Sequence, residues 1–237
     1  MLAIPAIDLR EGHVVQLVGG AYDREQVRLH DPVRIARQWA MAGFSRLHIV
    51  DLDAATGRGS NRDLVTQILW EGAAPCQVGG GVRTEEDVRT LLDDGAACVV
   101  LGTRALEDPD WLERVALANP GRCMLAADVR ERMVTTRGWA KTLGRDVLSV
   151  VEDVAALPLA GLLVTAVHRE GRMQGTDLPL MEDVVDASPF PVFASGGIGS
   201  LADLRALEDR GVAAAVIGMA IYTGAIDPRV LAEEFPQ

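Results

Sequence analysis

The chain has 237 residues, 49% hydrophobic and 24% charged, a composition that supplies a sizeable core and excludes disordered, collagen-like and coiled-coil chains. Its formal net charge of −11 repels a phosphodiester backbone, which argues against nucleic-acid binding. No stretch approaches the ~20 apolar residues of a membrane span, and MLAIPAIDLREG lacks the basic start and long apolar run of an export signal, so a cytoplasmic protein without membrane attachment is expected.

In chain order, short apolar runs alternate with amphipathic stretches: LAIPAID (2–8), LHIVDL (47–52), PCQVGG (75–80), CVVLG (98–102), CMLAAD (123–128), GLLVT (161–165), PVFAS (191–195) and AAVIG (214–218). They predict eight strands. Helix-start chemistry lies between them at Asp31-Pro32, Asn61, Thr84 with its acidic followers, Asp108-Pro109, Ser200 with Asp203, and Asp227-Pro228, and eight helices can be placed. Near-continuous apolar strands imply a parallel sheet buried under helices. Eight βα units in a chain of this length predict an α/β fold, a (β/α)8 TIM barrel forming one domain over 1–237, with an open doubly wound sheet as the alternative. A closed barrel has no sheet edge to protect, so a monomer is expected. Cys76, Cys98 and Cys123 fall inside apolar runs without metal-ligand spacing and read as buried core residues.

An internal repeat favours the barrel. Sliding the chain by 116 places 80–102 on 196–218 with ten identities in 23 positions, and sliding it by 120 matches Ala6, Asp8, Arg10, Glu11 and Val14 to 126–134. Two half-barrels, about 1–120 and 121–237, follow.

In such a barrel, chemistry belongs to the C-terminal ends of the strands. The repeat puts Asp8 and Asp128 there on strands one and five, opposed across the axis, where unequal burial would let one carboxyl act as acid and the other as base. The alternative is that each satisfies loop amides or a neighbouring Arg10 or Arg130. Gly79-Gly80-Gly81 before Thr84, and Ser195-Gly196-Gly197 before Ser200, form a second repeated element, partnered by Gly102-Thr103 and Gly218-Met219. Glycines let backbone amides approach a phosphate at a helix start, and two such cradles half a barrel apart imply a ligand phosphorylated at both ends. His13, His30, His48 and His168 lack metal-site spacing, and no metal is expected. Trp39, Trp70 and Trp111 fall on helix patterns where packing against the barrel is the default.

The motifs PAIDLREGHVVQLVGG, HIVDLDAATGRGSN, QVGGGVRTEEDV, VVLGTRAL, RGW (137–139) and ASGGIGSLADL cover essentially the whole chain, and it resembles the histidine-biosynthesis isomerases that convert ProFAR, phosphoribosylformimino-aminoimidazole carboxamide ribotide, to its ribulosyl form. The resemblance implies an Amadori rearrangement of an aminoaldose to an aminoketose. The substrate is a small bisphosphorylated nucleotide, with no metal, nicotinamide or flavin cofactor. In that scheme Asp128 is the general acid at ring opening and Asp8 moves the C2 proton. The implied substrate-binding residues are His48, Gly80, Gly81, Arg83, Gly102, Thr103, Arg137, Trp139, Thr165, Glu170, Gly175, Ser195, Gly196, Gly197, Gly218 and Met219. Trp139 would offer a flat face to an imidazole carboxamide.

Four positions depart from the family pattern. Gln16 stands where arginine is usual, Ala166 and Glu170 replace two aspartates of the strand-six loop, and Met219 replaces a lysine or arginine beside a phosphate. Glu170 is expected in the cleft as the substitute acid, the alternative being a solvated charge beside Arg169 and Arg172. Three other functions remain open: a bifunctional or tryptophan-pathway phosphoribosylanthranilate isomerase, which RGW and ATGRGSN resemble; the cyclase-type sister barrel; and a non-catalytic phosphate-ligand binding protein.

Overall fold

Eight buried strands pair side by side and all in parallel: β1 (Leu2–Arg10), β2 (Leu47–Asp51), β3 (Cys76–Gly79), β4 (Cys98–Leu101), β5 (Cys123–Arg130), β6 (Gly161–Ala166), β7 (Val192–Ser195) and β8 (Ala214–Ile217). The order runs β6-β7-β8-β1-β2-β3-β4-β5, and pairing of β5 with β6 closes the sheet into a barrel. This computed structural model describes residues 1–235.

Strand alternation divides the core into two shells. Ile4, Ala6, Cys98, Val100, Met124, Leu163, Phe193, Ala214 and Val216 fill the interior. Ala3, Ile7 and Leu9, the other face of β1, join the larger cluster beneath the helices. The helices begin where local chemistry dictates: Asp31, Asp108 and Asp227 cap helices that open with proline, over Pro32–Met41, Pro109–Ala118 and Pro228–Glu234. Thr84 and Ser200 each close a capping box with the aspartate three residues on, Asp87 and Asp203. Those boxes stand 116 residues apart, the offset of the repeat.

The described residues contain four further strands that a search for long apolar runs does not find. His13–Leu17 and Glu25–Leu29 form an antiparallel extension of β1, and Met133–Thr136 and Lys141–Asp146 form one of β5. The outer two, Glu25–Leu29 and Lys141–Asp146, are largely exposed, and the inner two are buried but short and carry polar residues such as Gln16, Thr135 and Thr136, so none reads as a long apolar run. Their registers correspond at an offset of 120: Asp8 opposes Val15 and Arg10 opposes His13, as Asp128 opposes Thr135 and Arg130 opposes Met133.

Two local expectations are corrected. Asn61 precedes the helix Arg62–Glu71, but its side chain makes no cap bond and instead donates to Asp51 and Asp53. Trp70 is 74% exposed because it falls on the outward face of that helix, whereas Trp39 packs edge-on against Phe44 and Tyr222 and Trp111 is buried. The three cysteines are free and buried.

Candidate active site

Asp8 and Asp128 end the inward-facing rows of β1 and β5, each half-buried at the mouth. Along one half the in-register residues are Asp8, Val50 and Gly79; along the other they are Asp128, Thr165 and Ser195. Burial among apolar walls penalises the charged form. It pushes the Asp8 carboxyl up to about 7, against the opposing pull of the Gln16 carboxamide, whose Nε2 donates to Oδ2 at 3.4 Å. Asp128 is also raised by burial, and side-chain hydrogen bonds from Trp139 and Thr165 work in the other direction.

Glu170 joins the two aspartates from the loop after β6. Its carboxyl is pushed up to about 8, first by burial and then by the negative charges of Asp8 and Asp128. One of its oxygens, Oε2, is buried without a hydrogen-bond partner. The loop is moored to the β1 extension: the amide of Gly19 donates to the Glu170 carbonyl at 3.2 Å, and a β-carbon on Gly171 would lie 2.6 Å from the Leu17 carbonyl oxygen. His168, Arg169 and Thr176 also present buried polar atoms without partners, so most of the six such atoms among the described residues come from this one loop. Buried polar groups are normally satisfied, so this loop carries most of the unmet hydrogen-bonding capacity among the described residues.

The glycine pairs have a packing role first. Gly80 (φ +97°) lies against the Asp51 backbone, where a β-carbon would fall 2.6 Å from the amide nitrogen, and Gly196 (φ +94°) lies against Ala166, 2.7 Å from its carbonyl oxygen. Gly81 and Gly197 continue the same path at φ +73° and +85° into the two capping boxes. Only glycine follows this route. The route brings backbone amides to the start of the helices Glu85–Asp93 and Leu201–Glu208. Gly102 and Gly218 share a further conformation (φ −109°, ψ −118° and φ −107°, ψ −100°) ahead of Thr103 and Met219. Gly175 is tied to the second pair, its amide donating to the Gly197 carbonyl at 3.0 Å.

The remaining expected site residues occupy three depths. Trp139 reaches across the mouth from the β5 extension and covers Gly20. Arg137 and Arg83 are exposed: Arg137 pairs with Glu107, and Arg83 donates to the Ala54 carbonyl. His48 lies one layer below Asp8, in register with Ala6, where Gln77 contacts its Nδ1 at 2.8 Å and burial lowers its pKa to about 4. Met219 is buried.

Three participants escape sequence reasoning. Gln77 is a polar residue inside the barrel beside His48, flagged in the sequence only as an interruption of an apolar run. Glu107 is the acid that receives Arg137, with no local signal of that role. Asp51, with Asn61 and Asp53, knits the loop after β2: Asp51 accepts from the amides of Ala54 and Asn61, and Asp53 accepts from Glu11. No group of three or more His, Cys, Asp or Glu side chains is arranged to hold a metal among the described residues, and no helix there is long and apolar enough to cross a membrane.

The family model described as "Histidine biosynthesis protein" matches residues 2–227. A protein of Gemmatimonas aurantiaca is 63% identical over 235 residues, with 99% of each chain covered. One of Myxococcus xanthus is 52% identical over 236 residues, again 99% of each, and one of Gloeothece citriformis is 40% identical over 231 residues, 96% of this chain and 90% of the relative. All three are named 1-(5-phosphoribosyl)-5-((5-phosphoribosylamino)methylideneamino) imidazole-4-carboxamide isomerase.

Proposed function

The chain belongs to the histidine biosynthesis protein family, and we propose that it is that family's aldose–ketose isomerase, converting ProFAR to its ribulosyl form with Asp8 and Asp128 as base and acid. The carrying observation is the opposed pair itself: two carboxyls at equivalent points of β1 and β5, both with raised pKa, facing one mouth. Two carboxyls whose pKa values are both raised by burial suit a reaction that donates one proton and removes another.

Asp128, protonated, gives its proton to the ring oxygen of the aminoaldose ribose. The C1–O bond breaks and the amino nitrogen attached to C1, part of the methylidene-linked amidine, supplies electrons to form a protonated imine. Asp8, ionised, then takes the proton from C2, and the electron pair moves into an enolamine that tautomerises to the aminoketose. Thr165 and Trp139 hold Asp128 by hydrogen bonds, and Gln16 does the same for Asp8. C2 is oxidised as C1 is reduced within the same molecule, so the step needs no external electron carrier.

The relatives' name carries two 5-phosphoribosyl groups, which fits a cradle at each side of the mouth. Gly80, Gly81, Gly102 and Thr103 would take one phosphate, and Ser195, Gly196, Gly197, Gly218 and Met219 the other, with Gly175 shaping the second. Glu170 occupies the loop that completes the mouth and would position the ligand between them. His48 acts from beneath as a neutral imidazole. The protein is expected to work as a monomer in the cytoplasm.

Turnover of ProFAR by the purified protein, followed by absorbance, tests the assignment. Turnover that disappears in Asp8→Asn supports it; tight ProFAR binding without any turnover refutes it in favour of a binding protein.

A further inference from the structure

The turn at Arg137, Gly138 and Trp139 has an unusual backbone. All three residues are left-handed, with φ of 57°, 63° and 68°, and two of the three carry side chains that disfavour the conformation. Such a turn persists only when its surroundings hold it. The holding group is on another element. Glu107, last residue of the short helix Thr103–Glu107 after β4, accepts from Arg137 side-on, Nε to Oε1 and a terminal nitrogen to Oε2, both at 3.0 Å. Thr136 donates to the same carboxylate at 3.4 Å, and Lys141 approaches it at 3.6 Å, so Glu107 grips the turn from both sides. The Arg137 amide adds a bond to the Thr103 hydroxyl at 3.0 Å. Beyond the turn, the Trp139 ring covers Gly20 and its side chain donates to Asp128.

We propose that Glu107 is a positioning residue for the isomerisation: through Arg137 it holds the turn in the shape that lays Trp139 across the mouth and against Asp128. This rests on the function proposed above. It also reassigns Arg137. Two of the guanidinium nitrogens are committed to Glu107, in the bidentate geometry that arginine and a carboxylate form best, so Arg137 serves as the latch for Trp139 rather than as a hand on the substrate. A single exposed ion pair contributes little, but here one carboxylate collects donors from three residues of the same hairpin. Because the indole donates to Asp128, an open latch also removes a bond that lowers the pKa of that group.

The test is a double-mutant cycle on the full chain with Glu107→Ala, Arg137→Ala and both together. Two readouts are used: steady-state kinetics with ProFAR across pH, and the near-ultraviolet circular dichroism of Trp139, taken as the difference between the parent chain and Trp139→Phe. Each single variant is expected to lose about tenfold in kcat/KM, and the double variant the same tenfold, because both act through one device. The Trp139 band should collapse in all three, and the limb of the pH profile set by Asp128 should move upward. A double variant down about a hundredfold would overturn the proposal, since Arg137 would then act on the substrate independently. A Trp139 band intact in Glu107→Ala would overturn it as well. The dichroism needs no substrate, so a chain that failed to turn over ProFAR would refute the proposed function while the latch was still decided.

Discussion

The indole of Trp139 occupies the space above Gly20: a β-carbon on residue 20 would lie 2.7 Å from the Cη2 atom of the ring. Residues 119 positions apart in sequence thus meet at the mouth, one from each of the two extensions that continue β1 and β5. Gly20 is also left-handed, at φ +65°. Gly20→Ala is therefore expected to push the ring off its seat and away from Asp128. The KM for ProFAR should rise by roughly tenfold or more, while the backbone strain lowers stability by only about 1–2 kcal/mol. Steady-state kinetics beside a thermal melt separate the two effects, and unchanged KM would show that the indole does not contact the ligand.

Asp8→Asn and Asp128→Asn should each reduce kcat by at least ~10²-fold while affecting ligand affinity much less, the pattern for groups that transfer protons. A base must be ionised to act. With the Asp8 carboxyl at about 7, kcat/KM of the parent chain should climb as pH rises through that value and level off above it. A profile flat between pH 5.5 and 8.5 would remove Asp8 from the base role, as would near-normal turnover in Asp8→Asn.

Glu170 places a third acid beside the pair, and its effect on stability has a definite sign. Burial and the charges of Asp8 and Asp128 lift its carboxyl from 4.5 to about 8. Between those values the unfolded chain has released a proton that the folded protein retains. Stability is therefore fully present below about pH 4.5 and declines as pH rises toward about 8. Glu170→Gln abolishes this loss and should stabilise the protein at pH 8.5 by about 2 kcal/mol, allowing for solvent screening at the partly open mouth, equivalent to about 4–8 °C in Tm. Little gain is expected at pH 5. Equal melting shifts at both pH values would contradict the assigned environment. The same variant should raise KM or lower kcat about tenfold, with Glu170→Asp better tolerated.

Inorganic sulfate or phosphate should occupy two places in a soaked crystal, near Gly80, Gly81 and Gly102 and near Gly196, Gly197 and Gly218. Both sets present backbone amides in matching conformations at helix starts, which suits an anion. Density at neither place would count against a substrate phosphorylated at both ends.

Strands, caps and repeat were legible because each is written locally. An apolar run buried on two sides, a proline after an aspartate, and an aspartate three residues after Thr84 or Ser200 impose their structure on neighbours within one turn or one strand. The repeat then carried Asp8 onto Asp128, and with the closed barrel it placed both at one mouth. The tertiary structure alone decided what surrounds them. Gln16, read only as a missing cation, turns its carboxamide to Asp8 and fills the space over Gly218, where a β-carbon would lie 3.0 Å from its Cδ. His48 finds Gln77 within the barrel, Arg137 finds Glu107, and Trp139 finds Gly20. The last three pairings have no periodic or spacing signal, because each joins residues from different βα units whose approach exists only after the barrel has closed. Glu170 shows the division most plainly: the sequence expected it in the cleft as a substitute acid but left a solvated charge beside Arg169 and Arg172 as the alternative, and only closure of the sheet sets it in the field of Asp8 and Asp128, where its charge is costly.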